Sequence, residues 1–407
     1  MPCGTSNAEQ PFVLPPGYAQ EVFAREGAGG TTDLWDMNTQ NEDQLSAIPT
    51  VLAQAGATDG PHTGRFVYRA HEVTSGGQVS VTDLDTIDPA TGEALTRVLV
   101  QRPDWERLDG MVWTPWGTIL TAEETSQQAL RDPAVPQAQG GLVYEIDPVT
   151  GTAVARPALG ARANEGMRFD AEGNFYGISE TRTPSGGFIY RFTPDRRGDL
   201  STGTLYALKV TAPTGDRTGE AVWVPLDDAT VQVNSDATAL AAGATSYDRP
   251  EDVEIATSTG NNRGGANVLY VAVTEEDRVL RIDLREPRGG RNQDTAFVSD
   301  YVRAGVNVDP AQFDFPDNLA LDHSGNLYIT EDQPSPAPTA DDIWMAEPGN
   351  GNQRGTSARV VRFASLPDCA AEPTGIYFDV DGGSLYVNAQ HRSGDGRDLG
   401  VRIHPVR

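Results

Sequence analysis

The chain has 407 residues, and its 58 acidic against 31 basic side chains give a formal net charge of −27. That balance repels a polyanion such as DNA unless basic residues cluster locally, and no such cluster occurs, so nucleic acid is excluded as a partner. No run of about 18 apolar residues is present to span a bilayer, while 38% hydrophobic content with 43 Gly and 28 Pro supplies a core with many turns and leans towards an all-β fold.

In chain order, residues 1–18 read as an N-terminal extension and 19–407 as a single β-propeller domain. The start lacks the basic and apolar regions of a signal peptide, and MPCGTSNAEQ is small and polar like the residues after a cleavage site. A mature secreted, periplasmic or cell-surface protein is expected, with lipid modification of Cys3 left open. Cys3 and Cys369 form no zinc-type pattern, and sequence does not assign them to a disulfide, so the redox compartment stays open. LPPGY and EGAGG break structure before residue 30, and NEDQLSAIPTVLAQAG (41–56) predicts a short helix. GRFVYRAHEV, GQVSVTDLD, TRVLVQ, GLVYEIDP, GFIYRFTP, TLYALKV, NVLYVAVTEEDRVLRIDL, ARVVRFA and GSLYVNAQH alternate apolar and polar residues and predict strands. TSQQALRD (125–132) is a second helix candidate.

Three units share one grammar: DGMVWTPWGTILTAEE (109–124), EGMRFDAEGNFYGISE (165–180) and DNLALDHSGNLYITED (317–332). They align without gaps, with Gly117, Gly173 and Gly325 at one offset, and looser copies start at Glu251, with a longer turn, and at Glu372. Repeats of roughly 40–50 residues, lengthened by insertions, mark a propeller. The expectation is a six-bladed β-propeller with short helical or loop insertions, five and seven blades staying open. A blade around GRFVYRAHEV would be closed by C-terminal strands.

In each unit the first strand enters a Gly turn suited to a bulged hairpin, and the second returns antiparallel. If the first strand is innermost, the carboxylates before and after the hairpin meet at one channel mouth. Gathering such charges in a partly desolvated place costs several kcal/mol per ion without a cation. Hard oxygen donors, only five histidines and no histidine pair at ligand spacing favour one or more Ca²⁺ over Zn²⁺. The plainer reading of a lone Asp or Glu beside a Gly hairpin is a turn former; recurrence at matched offsets is what favours metal.

PWGTILTAEET, NEGMRFD, DRPEDVEI, FPDNLALD and LYVNAQH, in that order, resemble the PhoX-type alkaline phosphatases, and VLPPGY, DLWDMNTQNE and GRFVYRAHEV resemble a branch of that family. The resemblance runs from about residue 12 to 391 and implies an exported six-bladed propeller that hydrolyses phosphate esters at a channel-mouth cluster of iron and calcium. It implies metal-ligand roles for Glu123, Glu165, Glu251 and Asp317, with Glu124 in the same motif, and a phosphoryl-binding role for Arg249. Glu165 and Glu251 are then also catalytic candidates with Arg249. Family members with the iron pair carry a cysteine before the double Glu, where this chain has Ala122, and Asn164 stands where many relatives place a histidine. An all-oxygen site holding Ca²⁺ is therefore the expectation, with iron in doubt.

The first functional expectation is a monomeric Ca²⁺-dependent phosphoesterase acting on a small-molecule phosphate ester. The alternatives are a calcium-dependent lactonase or phosphotriesterase-like propeller, for which Asn318 beside Asp317 would serve as a ligand, and a non-catalytic calcium-stabilised binding propeller. For Arg249 the plainer role is an ion pair with Asp248 or Glu251. His71 and His391 are candidate general acids, each weighed against a structural role at a strand end.

Overall fold

The protein is described by a computed structural model at residues 2–5, 7–212, 215–256, 267–284, 295–334, 338–349, 356–357 and 359–406. The long turn expected after Glu251 falls on 257–266, outside the described residues. β1 (Tyr18–Arg25) precedes the first complete sheet, β2 (Trp35–Gln40), β3 (Phe66–His71), β4 (Gln78–Ile87) and β5 (Ala94–Gln101). The second sheet is β6 (Leu108–Trp113), β7 (Ile119–Glu123), β8 (Val143–Ile146) and β9 (Ala153–Ala155).

Next come β10 (Met167–Phe169), β11 (Phe175–Ile178), β12 (Ile189–Pro194), β13 (Gly203–Val210), β14 (Gly219–Pro225), β15 (Pro250–Ala256), β16 (Asn267–Val273), β17 (Arg278–Leu284) and β18 (Thr295–Arg303). These nine form one sheet in the order β10-β11-β12-β13-β14-β18-β17-β16-β15. A further four-stranded sheet is β19 (Pro316–Leu321), β20 (Leu327–Glu331), β21 (Asp341–Glu347) and β22 (Arg359–Leu366). The last is β23 (Glu372–Phe378), β24 (Leu385–Gln390), β25 (Leu399–Pro405) and, closing its outer edge, β1.

The expected six-bladed propeller is thus corrected. Four sheets are separate four-stranded blades, and the other nine strands make one sheet whose end strands β10 and β15 return to each other, so that it is nearly closed. The cause is β14, which pairs β13 along Val210↔Ala221 and β18 along Gly219↔Val298. It satisfies backbone groups on two edges that would otherwise face solvent. Closure between the chain's ends occurs in the last sheet, where Tyr18 faces Pro405, and not in the sheet around β3.

The helices also differ from expectation. α1 (Thr50–Gln54) forms within 41–56 and buries Leu52. Residues 125–132 make no helix but run as bends and irregular chain, where the Glu106 carboxylate accepts the Ala129 and Leu130 N–H groups. α2 (Asp228–Val231) and α3 (Ser235–Ala242) were not anticipated; the side chains of Asp227 and Asn234 cap their N-termini.

Apolar faces pack sheet against sheet. Tyr68, Trp105, Trp113, Ile119 and Tyr144 fill the space between the first two sheets, and Val271, Leu280, Ile282 and Trp223 pack within the nine-stranded one. The first strands β2, β6, β10, β15, β19 and β23 adjoin one another in a closed ring. Because all six start at the same end, whatever their first residues carry is gathered there.

Candidate metal centre

Four of these strands begin with the same backbone device. Leu34, Arg107, Arg249 and Phe315 have left-handed φ values of 54°, 47°, 51° and 44°. Two residues later the register shifts, so that Asp36–Met37, Asp109–Gly110, Glu251–Asp252 and Asp317–Asn318 each face one residue of the neighbouring strand. Such a bulge re-aims the side chain it carries, here a carboxylate every time.

The other hairpin end is clamped to the same place. The carbonyls of Leu34, Arg107, Arg249 and Phe315 accept N–H bonds from Glu72 (2.9 Å), Glu124 (2.8 Å), Thr274 (2.9 Å) and Asp332 (3.0 Å). Glu165 and Glu180 repeat the clamp without the left-handed residue, Glu180 N–H donating to Ala163 O at 3.0 Å, while Gly166 N–H donates to Glu251 O at 3.1 Å and ties β10 to β15. A side chain at Gly166 would collide with the Asp252 backbone, its Cβ lying 2.5 Å from Cα, so glycine is required for this approach.

The result is a cavity of about 260 Å³ at one mouth of the ring, lined by ten carboxylates, one arginine and one histidine, with Asn318 and Thr374. All three repeated units contribute both ends: Asp109 and Glu124, Glu165 and Glu180, Asp317 and Asp332. Two groups converge closely. Asp36, Glu72 and Asp109 offer oxygens within 4.8 Å of one another, and so do Glu165, Glu251 and Asp317. At the opposite mouth a larger cavity of about 570 Å³ is lined by the far ends of the same strands, and there Arg168 pairs with Glu254 at 3.1 Å.

Electrostatics at the acidic mouth are strained. Burial, then Glu251 and Asp109, push Glu165 well above the carboxylate range. Burial and Glu180 raise Glu251 to about 8 against the opposing pull of Arg249. Asp317 is raised by burial and Glu251, Asp109 by burial and Asp36, and Asp36 by burial and Glu72. Burial also brings Glu72 to about 7. Asp109 Oδ1 and Glu165 Oε2 are buried with no hydrogen-bond partner among the described residues. Hard oxygens in two converging groups, some of them unsatisfied, make two candidate sites for a metal ion.

Glu124, Glu165, Glu251, Asp317 and Arg249 all line this cavity. Glu123 does not: its carboxylate accepts from Glu106 N (3.2 Å), Leu142 N (3.0 Å) and Gln128 Nε2 (2.8 Å) inside the second sheet. Ala122, just before the double Glu, is fully buried in an apolar cluster with Leu120, Val143 and Met167. Arg249 pairs with Glu251 at 2.7 Å and with Glu180, and lies 3.7 Å from Asp332, whereas Asp248 accepts from Thr183. Both amide atoms of Asn318 are engaged, Nδ2 donating to Asp317 Oδ1 (2.8 Å) and Oδ1 accepting from Gly375 N (2.6 Å).

His71 is fully buried, with Nε2 2.8 Å from Ser80 Oγ, and burial lowers its pKa to about 3, so it is a structural residue away from the cavity. His391 does line the cavity, 3.4 Å from Glu372. Sequence reasoning left Asp36, Glu72, Asp109, Glu180, Asp332 and Glu372 out of the ligand set. For Asp109, Glu180 and Asp332 the signal was their place at the ends of the repeated units; for Asp36 and Glu72 a 25-residue excursion between Gln40 and Phe66 hides the repeat.

Cys3 and Cys369 form a disulfide, with Cα atoms 5.4 Å apart, which leaves no Cys3 thiol for lipid modification. No helix among the described residues is long and apolar enough to cross a membrane.

The family model for alkaline phosphatase PhoX matches residues 109–393. No curated protein matches the chain. Solved structures with remote likeness include a protein assigned as a gluconolactonase (10% identity, TM-score 0.47, covering 97% of this chain and 94% of that one). Others are an auxiliary nutrient binding protein from Bacteroides thetaiotaomicron (10%, 0.47, 95% and 76%) and the calcium-binding regucalcin of Agrobacterium tumefaciens (11%, 0.41, 92% and 96%). Likeness this remote carries no argument about activity.

Proposed function

Because the chain belongs to the alkaline phosphatase PhoX family, we propose that it is a divalent-cation-dependent hydrolase of phosphate esters working at the acidic mouth, with Ca²⁺ as the cation. The observation that carries this reading is the convergence of Asp36–Glu72–Asp109 and of Glu165–Glu251–Asp317, with buried oxygens of Asp109 and Glu165 left unsatisfied. Bound there, a divalent cation would draw density from an ester oxygen and lower the pKa of a water. Glu165 and Glu251 hold the cation side of the site, and Arg249 fixes the orientation of Glu251 against Glu180, its planar fork suiting two carboxylates at once. Glu124 takes the ligand role that the double-Glu motif suggested for Glu123. Iron has little support, since the only side chain at the cysteine position is the methyl of Ala122.

A second reading, a calcium-dependent lactonase or triesterase-like hydrolase, is favoured by a specific observation. Arg249, the one arginine lining the cavity among the described residues, is already engaged by Glu180 and Glu251, which suits a neutral substrate better than a dianion. A purely binding role would share the cation site without turnover. The Cys3–Cys369 disulfide supports an exported location, because such bonds persist in oxidising compartments. Purified protein with calcium, and again with chelator, should be tested on phosphate mono-, di- and triesters and on lactones. Chelator-sensitive monoester turnover supports the proposal, lactone or triester turnover alone moves it to the second reading, and calcium-dependent stability with no turnover indicates a binding protein.

A further inference from the structure

Arg249 and Arg107 occupy the same place in two repeats. Each has a left-handed φ, 51° and 47°, and each stands two residues before a bulged carboxylate, Glu251 and Asp109. Their backbones are held alike. Arg249 N–H donates to Thr181 O at 3.4 Å, next to Glu180, and Arg107 N–H donates to Val73 O at 2.7 Å, next to Glu72. Each carbonyl accepts from the residue that ends its own hairpin, Thr274 and Glu124.

The side chains differ. The Arg249 guanidinium is held between Glu180 and Glu251. Arg107 is exposed, and its guanidinium makes no hydrogen bond or ion pair among the described residues. It still pulls down the pKa of the cavity residue Glu72, which burial raises, so its charge is felt at the mouth. Residue 107 also lies outside the stretch matched by the family model, 109–393.

We infer that Arg107 is an anion-recognition residue of this site: its unengaged guanidinium, carried by a residue whose carbonyl accepts from Glu124 N–H and that stands two positions before the cavity residue Asp109, takes the phosphoryl oxygens of the substrate while Arg249 stays locked to carboxylates. The cost of withdrawing Arg249 from two partners is what favours Arg107, since a charge-assisted bond must be broken before another forms. The guanidinium fork suits two phosphate oxygens, and an ammonium does not reproduce that geometry. This inference rests on the phosphoester reading above.

The test is calorimetric titration of the calcium-loaded protein with inorganic phosphate, alongside KM and kcat for p-nitrophenyl phosphate. Arg107→Ala should weaken phosphate binding and raise KM by roughly tenfold or more, the loss of one charge-assisted contact, without weakening calcium binding, since a positive charge near Glu72 is removed. Arg107→Lys should recover only part of the loss. Arg107→Gly, which favours the left-handed backbone, keeps the local fold and should match Arg107→Ala, while the exposed control Arg196→Ala should behave as wild type. Wild-type protein that binds no phosphate and turns over no monoester overturns the phosphoester reading and this inference together. Wild-type binding that survives unchanged in Arg107→Ala and Arg107→Gly overturns the role of Arg107 alone.

Discussion

Replacing Asp317 by asparagine should change the sign of its effect with the cation. In the Glu165–Glu251–Asp317 group the oxygens lie within 4.8 Å of one another. At an effective dielectric near 20, each ionised pair at that spacing repels by roughly 3.5 kcal/mol, so three charges cost roughly 10 kcal/mol until a proton or cation is taken up. Asp317→Asn removes two of the three repulsions, roughly 7 kcal/mol when all are ionised, and its amide oxygen can keep the 2.8 Å bond from Asn318. A chain of this length unfolds with an entropy near 0.85 kcal/mol per degree, so the ceiling is about 8 °C, and residual protonation brings the gain to a few degrees. In chelator at about pH 9, where Glu251 with its pKa of about 8 is ionised, the variant should therefore melt higher than wild type. With calcium at about 1,000 times its Kd the wild type gains about 4 kcal/mol, or roughly 5 °C, by linkage. Having lost a ligand, Asp317→Asn should gain far less and melt lower. Scanning calorimetry under the two conditions decides it. A shift of the same sign and size with and without calcium would show that Asp317 holds the fold and not a cation.

Other outcomes follow from the same site. Metal-free protein should lose stability as pH rises from about 4.5 to 8, because a carboxyl with a raised folded pKa holds its proton in the native state; for Glu251 the loss is about 5 kcal/mol, and saturating calcium should flatten the profile. Glu123→Gln should lower stability by about 1–3 kcal/mol, since the amide nitrogen would face donors now bound by a carboxylate, with calcium affinity unchanged in titration calorimetry; Glu124→Gln should do the reverse. Cys369→Ser should lower stability by about 2–4 kcal/mol in a denaturant melt through loss of the Cys3 crosslink, leaving calcium binding intact.

The acidic mouth was legible because the repeat writes it into the sequence: Asp109, Glu165 and Asp317 open hairpins whose turns need Gly117, Gly173 and Gly325 at φ of 84°, 89° and 85°. What periodicity could not supply was direction. Of the adjacent Glu123 and Glu124, only the pairing of Glu123 with Leu108 shows that it ends the strand and turns inward, leaving its neighbour to the cavity. The bulges that aim Asp36 and Asp109 carry no glycine at their left-handed residues Leu34 and Arg107, so the usual mark of that conformation is missing. The nine-stranded sheet escaped for a similar reason. β14, GEAVWVP, belongs to no repeat, and which edges it joins is set by long-range pairing with β13 and β18. α3 was legible in principle from Asn234 before the run and Gly243, at φ 70°, after it.

The central claim is that carboxylates from different sheets meet around shared divalent cations. Calcium titration of chelator-treated protein, read by calorimetry for wild type, Glu165→Gln and Asp109→Asn, tests it most directly. The account predicts binding by the wild type, with each variant weakening it and still melting cooperatively. Equal heats and affinities in all three, or no binding by the wild type, would contradict it.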